Sequence, residues 1–532
     1  MKEKLQNLIK NALESIGIEA ADFVVEHPVD LKMGDYSTNV GIKTGKAKEI
    51  LAHLEVEPPS GVERVELAGP GFINFYLTKE FFKKSIGEVI EKAGEFGKNE
   101  NLHGEKVVVE HTDPNPFKEF HIGHLMTNVI GSTIARIFEW NGAEVKQACY
   151  QGDVGIHVAK AVWGLLRGEN APYPAGAKAY EESDESKKEI QEINKKIYER
   201  SDEKINKIYD EGKKSSLEYF DSIYKRLGTK FDYFFFESEG GQIGKKIVEE
   251  NKGKVFEESD GAVVFHAEKY DPALHTRVFI NSAGLPTYEA KELGLAKIKF
   301  EKYPYTKSIV VTGNEIKDYF KVLLAAMKLI FPELAEKTKH IPHGMLRLPT
   351  GKMSSRTGDV ITAEALIEEV KKKVKDDEAV AIGAIKYMIL RQAVGNDIIF
   401  DIEKSISTEG DSGVYLQYAY ARTNSLLEKA GNQGLSVDSP QGKALVERET
   451  HEIEKLLYRF PEVVERAGQE YAPHYITTYL TEIAGSFNNF YAHEQIIDDS
   501  PDSPYRLAIT KAFNIVMKNG LDILGIPTPE RM

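Results

Sequence analysis

The sequence predicts an α/β protein of several domains, with a split Rossmann-type parallel sheet at its centre. Three observations predict this class. The chain has 532 residues, more than one hydrophobic core usually holds. From residue 106, the run KVVVEH, a helical stretch and a second strand-like run follow one another in the order of a βαβ unit. Beyond residue 409 the pattern is that of successive amphipathic helices.

Glycine- and proline-rich stretches divide the chain into segments. The predicted segments are an α+β unit over 1–103, the first half of the parallel-sheet domain over 104–165, a helix-rich insertion over 166–269, the second half of the domain over 270–345, a loop-containing connection over 346–408 and a helical bundle over 409–532. Isoleucines at three- and four-residue spacing indicate that the insertion contains a helical hairpin with one buried face.

The composition, 41% hydrophobic and 29% charged residues, is that of an ordinary soluble protein. The single cysteine, Cys149, excludes an internal disulfide and a cysteine-rich zinc site. We expect no signal peptide and no membrane span, because no apolar run is long enough, and a cytoplasmic location. The net charge of −14 argues against nucleic-acid binding when taken alone, but 69 basic residues are enough to form a basic face.

The stretch HTDPNPFKEFHIGHL, residues 111–125, follows the first strand of the predicted sheet. It places a turn and a helix N-terminus at the carboxyl edge, where backbone N–H groups and the helix dipole favour a phosphate. His121 and His124 can donate hydrogen bonds to phosphate oxygens, and Lys118 adds a positive charge. Gly123 lets a flat purine approach the backbone. These residues predict an ATP site, although two surface histidines at the start of a helix would give the same sequence pattern.

A second stretch, LPTGKMSSRTGD at residues 348–359, has glycines on both sides of a basic segment. Its lysine, backbone and hydroxyl groups are expected to close over a polyphosphate, with Lys352, Met353 and Ser354 in contact with ATP. An ordinary basic surface loop is the alternative. The two stretches occur in order on either side of a split βαβ fold, and this favours the ATP site.

Together the HIGH and KMSSR stretches resemble the signatures of class I aminoacyl-tRNA synthetases. Within that class the chain resembles the arginyl-tRNA synthetase family over essentially its whole length. The residues that carry this likeness are DPNPFKEFHIGHL, GPGFINFYL at 69–77, YLQYAYAR at 415–422 and the terminal LDILGIPTPERM.

Two departures accompany this resemblance. Ser355, followed by Arg356, stands where the second loop usually has a lysine, and Lys118 fits the upstream lysine of family members that lack it. The segment YQGDVGIHVAK resembles the family's GDWGTQ region, but Ile156 and His157 replace Thr-Gln.

The resemblance implies a site for free arginine. Tyr288 and Glu292 are four residues apart, on one face of a predicted helix, and match positions that contact the guanidinium. A carboxylate and an aromatic face suit that group, although an ordinary helix face would show the same spacing. Asp113 and Asn115 match positions at the α-amine and carboxylate end. His124 is expected to border the arginine, and Glu315 to line the pocket.

The implied reaction has two steps. Arginine reacts with ATP to give arginyl-adenylate, and the arginine then passes to the 3′-terminal adenosine of tRNA. Lys118, His121, His124 and Lys352 are the implied catalytic residues, which position and stabilise the phosphates. ATP is a substrate that carries Mg²⁺, and neither zinc nor an organic cofactor is expected.

The implied partners are arginine tRNAs, L-arginine and ATP, bound by a monomer. The resemblance assigns D-loop binding to the first segment, through Phe72 and Asn74, stem contact to the connection at 346–408, and anticodon reading to the bundle, with Tyr418 and Arg422 as candidates. Phe72 could instead be a core residue of its strand.

Three alternatives remain open at this stage. A cysteinyl enzyme would need zinc ligands, and a glutamyl or glutaminyl enzyme would need basic groups where Glu292 stands. A small-molecule nucleotidylyltransferase would share the first motif without needing the terminal domains. A catalytically inactive tRNA-binding relative would not need to keep His121, His124 and Lys352.

Overall fold

The computed structural model describes residues 1–19, 21–56, 58–349, 361–435 and 449–532. The basic loop of the second motif, with Lys352, Met353 and Ser354, lies outside the described residues, so its predicted role is not placed by the structure.

The first unit is α+β, as predicted. Its elements are α1 (Lys2–Ser15), β1 (Val25–Glu26), β2 (Tyr36–Thr38), α2 (Val40–Thr44), α3 (Ala47–Val56), β3 (Val62–Ala68), β4 (Phe72–Leu77) and α4 (Lys79–Lys92). The strands form an antiparallel sheet in the order β1-β2-β4-β3. Helix α1 buries Leu5, Ile9 and Leu13 at four-residue spacing, which is why its apolar stripe packs in the core of this unit.

The central domain begins with a strand, a helix and a strand. Its first part comprises β5 (Lys106–Glu110), α5 (Ile122–Trp140), β6 (Glu144–Gln151), α6 (Ile156–Leu166), α7 (Pro172–Glu182), α8 (Asp184–Glu199), α9 (Glu203–Leu227), β7 (Tyr233–Phe236) and α10 (Glu237–Glu250). Its second part comprises β8 (Glu257–Ser259), β9 (Ala262–Phe265), β10 (Arg277–Ile280), α11 (Tyr288–Lys302), β11 (Lys307–Gly313), α12 (Lys317–Ile330), α13 (Pro332–Lys337) and β12 (Thr338–His343).

Five of these strands form one parallel sheet in the order β12-β11-β5-β6-β7. Its middle strand, β5, carries three consecutive buried valines, because helices cover both faces of a parallel sheet. The segment 166–269, predicted to be one helix-rich insertion, also contains a strand of the parallel sheet. Helices α7, α8 and α9 form the inserted module, whereas β7 belongs to the parallel sheet as its edge strand, since the aromatic run YFFF pairs with β6.

The remaining elements are β13 (Leu346–Arg347), α14 (Ala363–Lys373), α15 (Glu378–Leu390), β14 (Ile398–Ile399), α16 (Ile402–Ser405), α17 (Gly413–Asn432), α18 (Glu452–Leu457), α19 (Phe460–Glu470), α20 (His474–His493) and α21 (Ser503–Leu524). The predicted helical bundle is confirmed. In the described parts of the chain, no helix is both long and apolar enough to cross a membrane.

Helix α5 is buried along nearly its whole length, with fifteen buried residues between Ile122 and Phe138. It packs against β5, β6 and β11 on the sheet and against α15, α19 and α21 on the other side. The Thr133 hydroxyl donates to the Leu524 carbonyl at 3.3 Å. One helix therefore joins the parallel sheet to the bundle.

A buried junction links the inserted module to the end of the chain. The Lys386 ammonium of α15 donates to the carbonyls of Leu227, at the end of α9, and of Gly525, after α21. Arg136 of α5 donates to the carbonyl of Gly228 at 3.3 Å. Carbonyls at helix C-termini carry partial negative charge, which partly offsets the burial that lowers the pKa of Lys386 and provides a partner for the half-buried Arg136.

We predict opposite effects of the same substitution in two helices. A Cβ on Gly131 of α5 would lie 2.3 Å from the Cβ of His111, whereas a Cβ on Gly431 of α17 would meet nothing within 4 Å. Gly131→Ala should lower the free energy of unfolding by about 1–3 kcal/mol because it overpacks the helix against the end of β5. Gly431→Ala should raise it by roughly 0.5–1 kcal/mol through helix propensity. Denaturant titration of both variants checks this, and equal effects would contradict the packing of α5.

Candidate active site

The first turn of α5 is closed by its two motif histidines. Nδ1 of His121 accepts hydrogen bonds from the backbone N–H groups of Gly123 and His124, at 3.1 and 3.4 Å. Nδ1 of His124 accepts one from the N–H of His121, at 3.3 Å. The two rings stack with their centres 3.6 Å apart. Since both Nδ1 atoms accept, the proton of each neutral ring is on Nε2.

Both histidines are neutral at physiological pH. Burial, helped by the nearby charge of Lys118, lowers the pKa of His121 to about 4. Burial and the neighbouring His121 and Lys118 hold the pKa of His124 well below its usual value. They therefore contribute hydrogen-bond donors to this site, and Lys118 contributes the charge.

The structure gives a second reason for glycine at position 123, besides the predicted approach of a purine, which stays a prediction. A Cβ at this position would lie 2.9 Å from Cε1 and Nδ1 of His121. Glycine thus leaves room for the ring that caps the helix, and the stacked histidines depend on it.

Lys118 lies between the motif and the inserted module. Its Nζ is 5.1 Å from the ring centre of Tyr173 in α7. Burial lowers the pKa of Lys118, and the carboxylate of Glu237 opposes this shift. The structure thus places Lys118 beside His121, as the sequence predicted.

Tyr288 and Glu292, which are predicted to bind arginine, lie at the start of α11. Helix α11 packs unusually close to α10. A Cβ on Gly244 would lie 1.7 Å from the Ala290 carbonyl oxygen, and one on Gly294 would lie 1.9 Å from that of Gly240. Glycines at the crossing therefore let the two backbones approach, and this brings Glu292 towards the carboxylates of neighbouring elements.

Four carboxyl groups meet in this pocket. Burial, followed by the charge of Glu110 and then those of Asp113 and Glu237, raises the pKa of Glu292 well above its usual value, and Lys299 opposes the shift. Within the described residues, Glu292 has no hydrogen-bond or ion-pair partner. A carboxyl group that is half-buried among other acids and has no partner is costly to ionise, so a cation beside it would favour its charged form.

Two of the four carboxylates already have counterions. Lys299 lies 2.6 Å from Glu110, and Lys291 lies 2.6 Å from Glu237, and both pairs are buried. The sequence analysis did not predict these pairs, because Lys299 and Glu110 are 189 residues apart in the sequence, and Lys291 and Glu237 are 54 residues apart. Of the four acids, Glu292 and Asp113 therefore have no lysine partner.

Asp113 and Asn115 follow β5 and lie next to the same group of carboxylates. Asp113 accepts the backbone N–H of Tyr150 at 2.7 Å, and burial together with Glu110 raises its pKa well above the usual value. Gly152 separates Asn115 from Glu237, because a Cβ there would lie 2.1 Å from the Asn115 Oδ1 and 3.2 Å from the Glu237 Oε1. The predicted residues Asp113 and Asn115 thus belong to the same pocket as Glu292.

The inserted module forms one wall of the site. The backbone N–H of Phe117 donates to Ser216 of α9 at 2.9 Å, and its ring fills the space above Gly212. Tyr198 of α8 lies beside Lys291, and both Tyr198 and Tyr173 act on the pKa of Tyr288. Tyr288 itself is 58% exposed, with Lys291 5.1 Å from its ring centre. Tyr288 is therefore open to a ligand.

Glu315 is separate from this cluster. It is exposed in the turn after β11, and its charge acts on His343 of β12. Among the described residues, no contact joins it to Tyr288 or Glu292, so its predicted place in the arginine pocket stays a prediction.

The four predicted tRNA residues fall into two groups. Phe72 is 40% exposed at the end of β4 and is not a core residue. Asn74 is 3% exposed, and its Oδ1 accepts the Ser37 hydroxyl at 2.7 Å. It is buried because β4 lies between β2 and β3, with strand neighbours on both sides of Asn74. The structure therefore does not favour Asn74 as a freely exposed base contact.

The second group lies on the bundle. The Arg422 guanidinium is 4.7 Å from the ring centre of Tyr418 and 5.4 Å from that of Tyr491. Tyr418 and Tyr491 are 38% and 39% exposed. The structure thus brings the predicted pair together, and it adds Tyr491, which sequence reasoning missed.

Three family models match the chain. They are described as tRNA synthetases class I (R), catalytic domain, over residues 86–402, Arginyl tRNA synthetase N terminal domain over 3–77, and DALR anticodon binding domain over 416–532.

Curated relatives match along the full length. Arginine–tRNA ligases from Halothermothrix orenii and Lactococcus lactis subsp. lactis are 30% and 31% identical, covering all of this chain and 99% and 100% of theirs. Among solved structures, the arginyl-tRNA synthetases of Thermus thermophilus and Plasmodium falciparum have TM-scores of 0.74 and 0.77 at 24% and 19% identity. Both matches cover all of this chain, together with 100% of the Thermus thermophilus chain and 99% of the Plasmodium falciparum chain. These structural likenesses show a shared fold.

Proposed function

Because the chain belongs to the arginyl-tRNA synthetase family of class I, we propose that it is an arginine–tRNA ligase acting in protein synthesis. It activates L-arginine with ATP and transfers the arginine to the 3′-terminal adenosine of its tRNA. The observation that supports this proposal is the unpaired Glu292, one helical turn after the exposed Tyr288 on α11 and among carboxylates whose charge also reaches Lys118 beside His121.

The charges of the pocket fit arginine. Glu110 and Glu237 are neutralised by lysines, so Glu292 and Asp113 remain for the two cationic groups of the substrate. Glu292 pairs with the guanidinium and Tyr288 covers its plane. Asp113 and Asn115 hold the α-amine and carboxylate end, near His124. A glutamate or glutamine substrate would bring no cation to these acids.

The first step joins an arginine carboxylate oxygen to the α-phosphorus of ATP and breaks the bond to pyrophosphate. His121 and His124 direct their Nε2–H donors at phosphate oxygens, and Lys118 and Lys352 stabilise the charge on the leaving pyrophosphate. Gly123, Met353 and Ser354 contribute to ATP binding, and Mg²⁺ enters with ATP as part of that substrate.

In the second step, the 2′-hydroxyl of the terminal adenosine attacks the arginyl carbonyl and releases AMP. The exposed Phe72 offers a stacking surface to an unpaired base of the D-loop. Tyr418 and Arg422 offer a similar surface to the anticodon. We infer that the protein acts as a monomer in the cytoplasm.

One assay tests the function. ATP–pyrophosphate exchange is measured with each amino acid, with and without total tRNA. Exchange is expected with arginine and with none of the other amino acids. Exchange with another amino acid, or exchange with arginine but no arginylation of tRNA, would contradict the proposal.

We predict that Glu292→Gln raises the KM for arginine far more than the KM for ATP. The guanidinium loses its charged partner in a half-buried pocket, a loss of roughly 2–5 kcal/mol. Steady-state exchange kinetics measure both constants, and equal changes in the two would remove Glu292 from the arginine site.

We also predict that arginine binds more weakly as the pH falls. The pKa of Glu292 in the free enzyme is raised, so lowering the pH towards it protonates the carboxyl group that must pair with the guanidinium. The KM for arginine should rise as pH is lowered, and arginine binding should release protons, measured by calorimetry in buffers of different ionisation enthalpy. In the Glu292→Gln variant the KM for arginine should depend less on pH. We assign any pH dependence that remains to Asp113.

A further prediction concerns Lys118. Lys118→Ala should lower the adenylation rate by roughly 100-fold, as on removal of one preorganised donor, with little change in the KM for arginine. Adding Ser355→Lys should restore part of the rate, because the ammonium returns from the other loop. Near-normal exchange in Lys118→Ala would mean that this lysine does not act on the phosphates.

A further inference from the structure

The segment YQGDVGIHVAK connects β6 to α6 at the carboxyl edge of the sheet. Its Gly152 faces the arginine pocket, between Asn115 and the carboxylate of Glu237. The backbone φ of Gly152 is not positive, so glycine is needed here for space and not for conformation. Gly152 therefore lies against both side chains, and a larger residue here would displace Asn115.

His157, which stands where the family's usual segment has glutamine, contacts Gly152. Its Nε2 lies 2.8 Å from the Gly152 carbonyl oxygen. Since a carbonyl only accepts, Nε2 carries the proton. Burial lowers the pKa of His157 to about 3, so the neutral ring donates this bond throughout the physiological range.

The next residue is fixed from the opposite side. The buried carboxylate of Asp153 accepts hydrogen bonds from Tyr209 and Lys213 of α9, at 3.0 and 2.7 Å. It also accepts the N–H and the hydroxyl of Ser238, at 2.8 and 2.7 Å. Ser238 follows Glu237 in the chain, so the same carboxylate locks the first turn of α10 and the inserted module.

We propose that His157 is a positioning residue of the arginine site, which holds Gly152 so that Asn115 and Glu237 keep their places. This inference rests on the proposed function. It also accounts for the departure from the family pattern, because the glutamine usual at this position carries a side-chain N–H that can donate to the same carbonyl. In this proposal His157 acts through the Gly152 carbonyl and not directly on a substrate.

The test compares two unbranched side chains of similar length. His157→Gln keeps a donor, whereas His157→Met fills the same space without one. In the full-length enzyme, His157→Met should raise the KM for arginine about tenfold and change the KM for ATP by less than about twofold, the size expected for one hydrogen bond. His157→Gln should stay within about threefold of the unchanged enzyme in both constants.

Thermal unfolding of the two variants separates positioning from general stability. Equal KM values for arginine in His157→Met and His157→Gln, or equal rises in the two KM values in His157→Met, would overturn the proposal. Absence of arginine-dependent exchange in the unchanged enzyme would instead refute the proposed function.

A second variant decides the question if His157→Met does not fold. Gly152→Ala places a methyl group against Asn115 without backbone strain, and Gly94→Ala is its control, since a Cβ there meets nothing within 4 Å. Gly152→Ala should raise the KM for arginine at least tenfold and leave that for ATP nearly unchanged, while Gly94→Ala changes neither. An unchanged KM for arginine in Gly152→Ala would overturn the proposal.

Discussion

The burial of helix α5 is the constraint on which the rest of the structure depends. Its first turn must be open to phosphate, whereas almost every residue from Ile122 to Phe138 is buried. The sheet covers one side of the helix and the bundle covers the other. The stacked histidines are therefore rigid because the helix that carries them cannot shift without disturbing the core, and preorganised donors of this kind are effective in catalysis.

The arginine pocket shows how a protein holds several acids close together. Unpaired buried carboxylates are costly, and a pocket with four of them would take up protons. Lys291 and Lys299 offset two of the four charges, and burial raises the pKa of Glu292 and Asp113. Under the proposed function, the two acids that have no lysine partner are those that would pair with the two cationic groups of arginine.

The sequence predicts the parts of this site that lie close together along the chain. His121, Gly123, His124 and Lys118 fall within one turn and helix start, and Tyr288 and Glu292 lie on one helical turn, so spacing alone places them correctly relative to one another. The likeness to the arginyl-tRNA synthetase family correctly predicts the order of the domains.

The parts that sequence reasoning missed depend on distant pairing. The Lys299–Glu110 pair, the contact of Gly152 with Asn115 and the burial of Asn74 all arise where strands and helices from separate segments meet. The strand β7 is hidden among charged helices, because four aromatic residues are too few to show a period. Its place in the sheet follows only from its pairing with β6.

The junction around Lys386 has a consequence for how distant parts of the fold support one another. The end of α9 is held by Lys386, and the same side chain binds the Gly525 carbonyl after α21. Helix α9 also carries Tyr209 and Lys213, which hold Asp153 next to Gly152. One amine therefore supports both the helix that holds Asp153 and the segment that follows α21, so losing it would release two remote parts of the molecule at once.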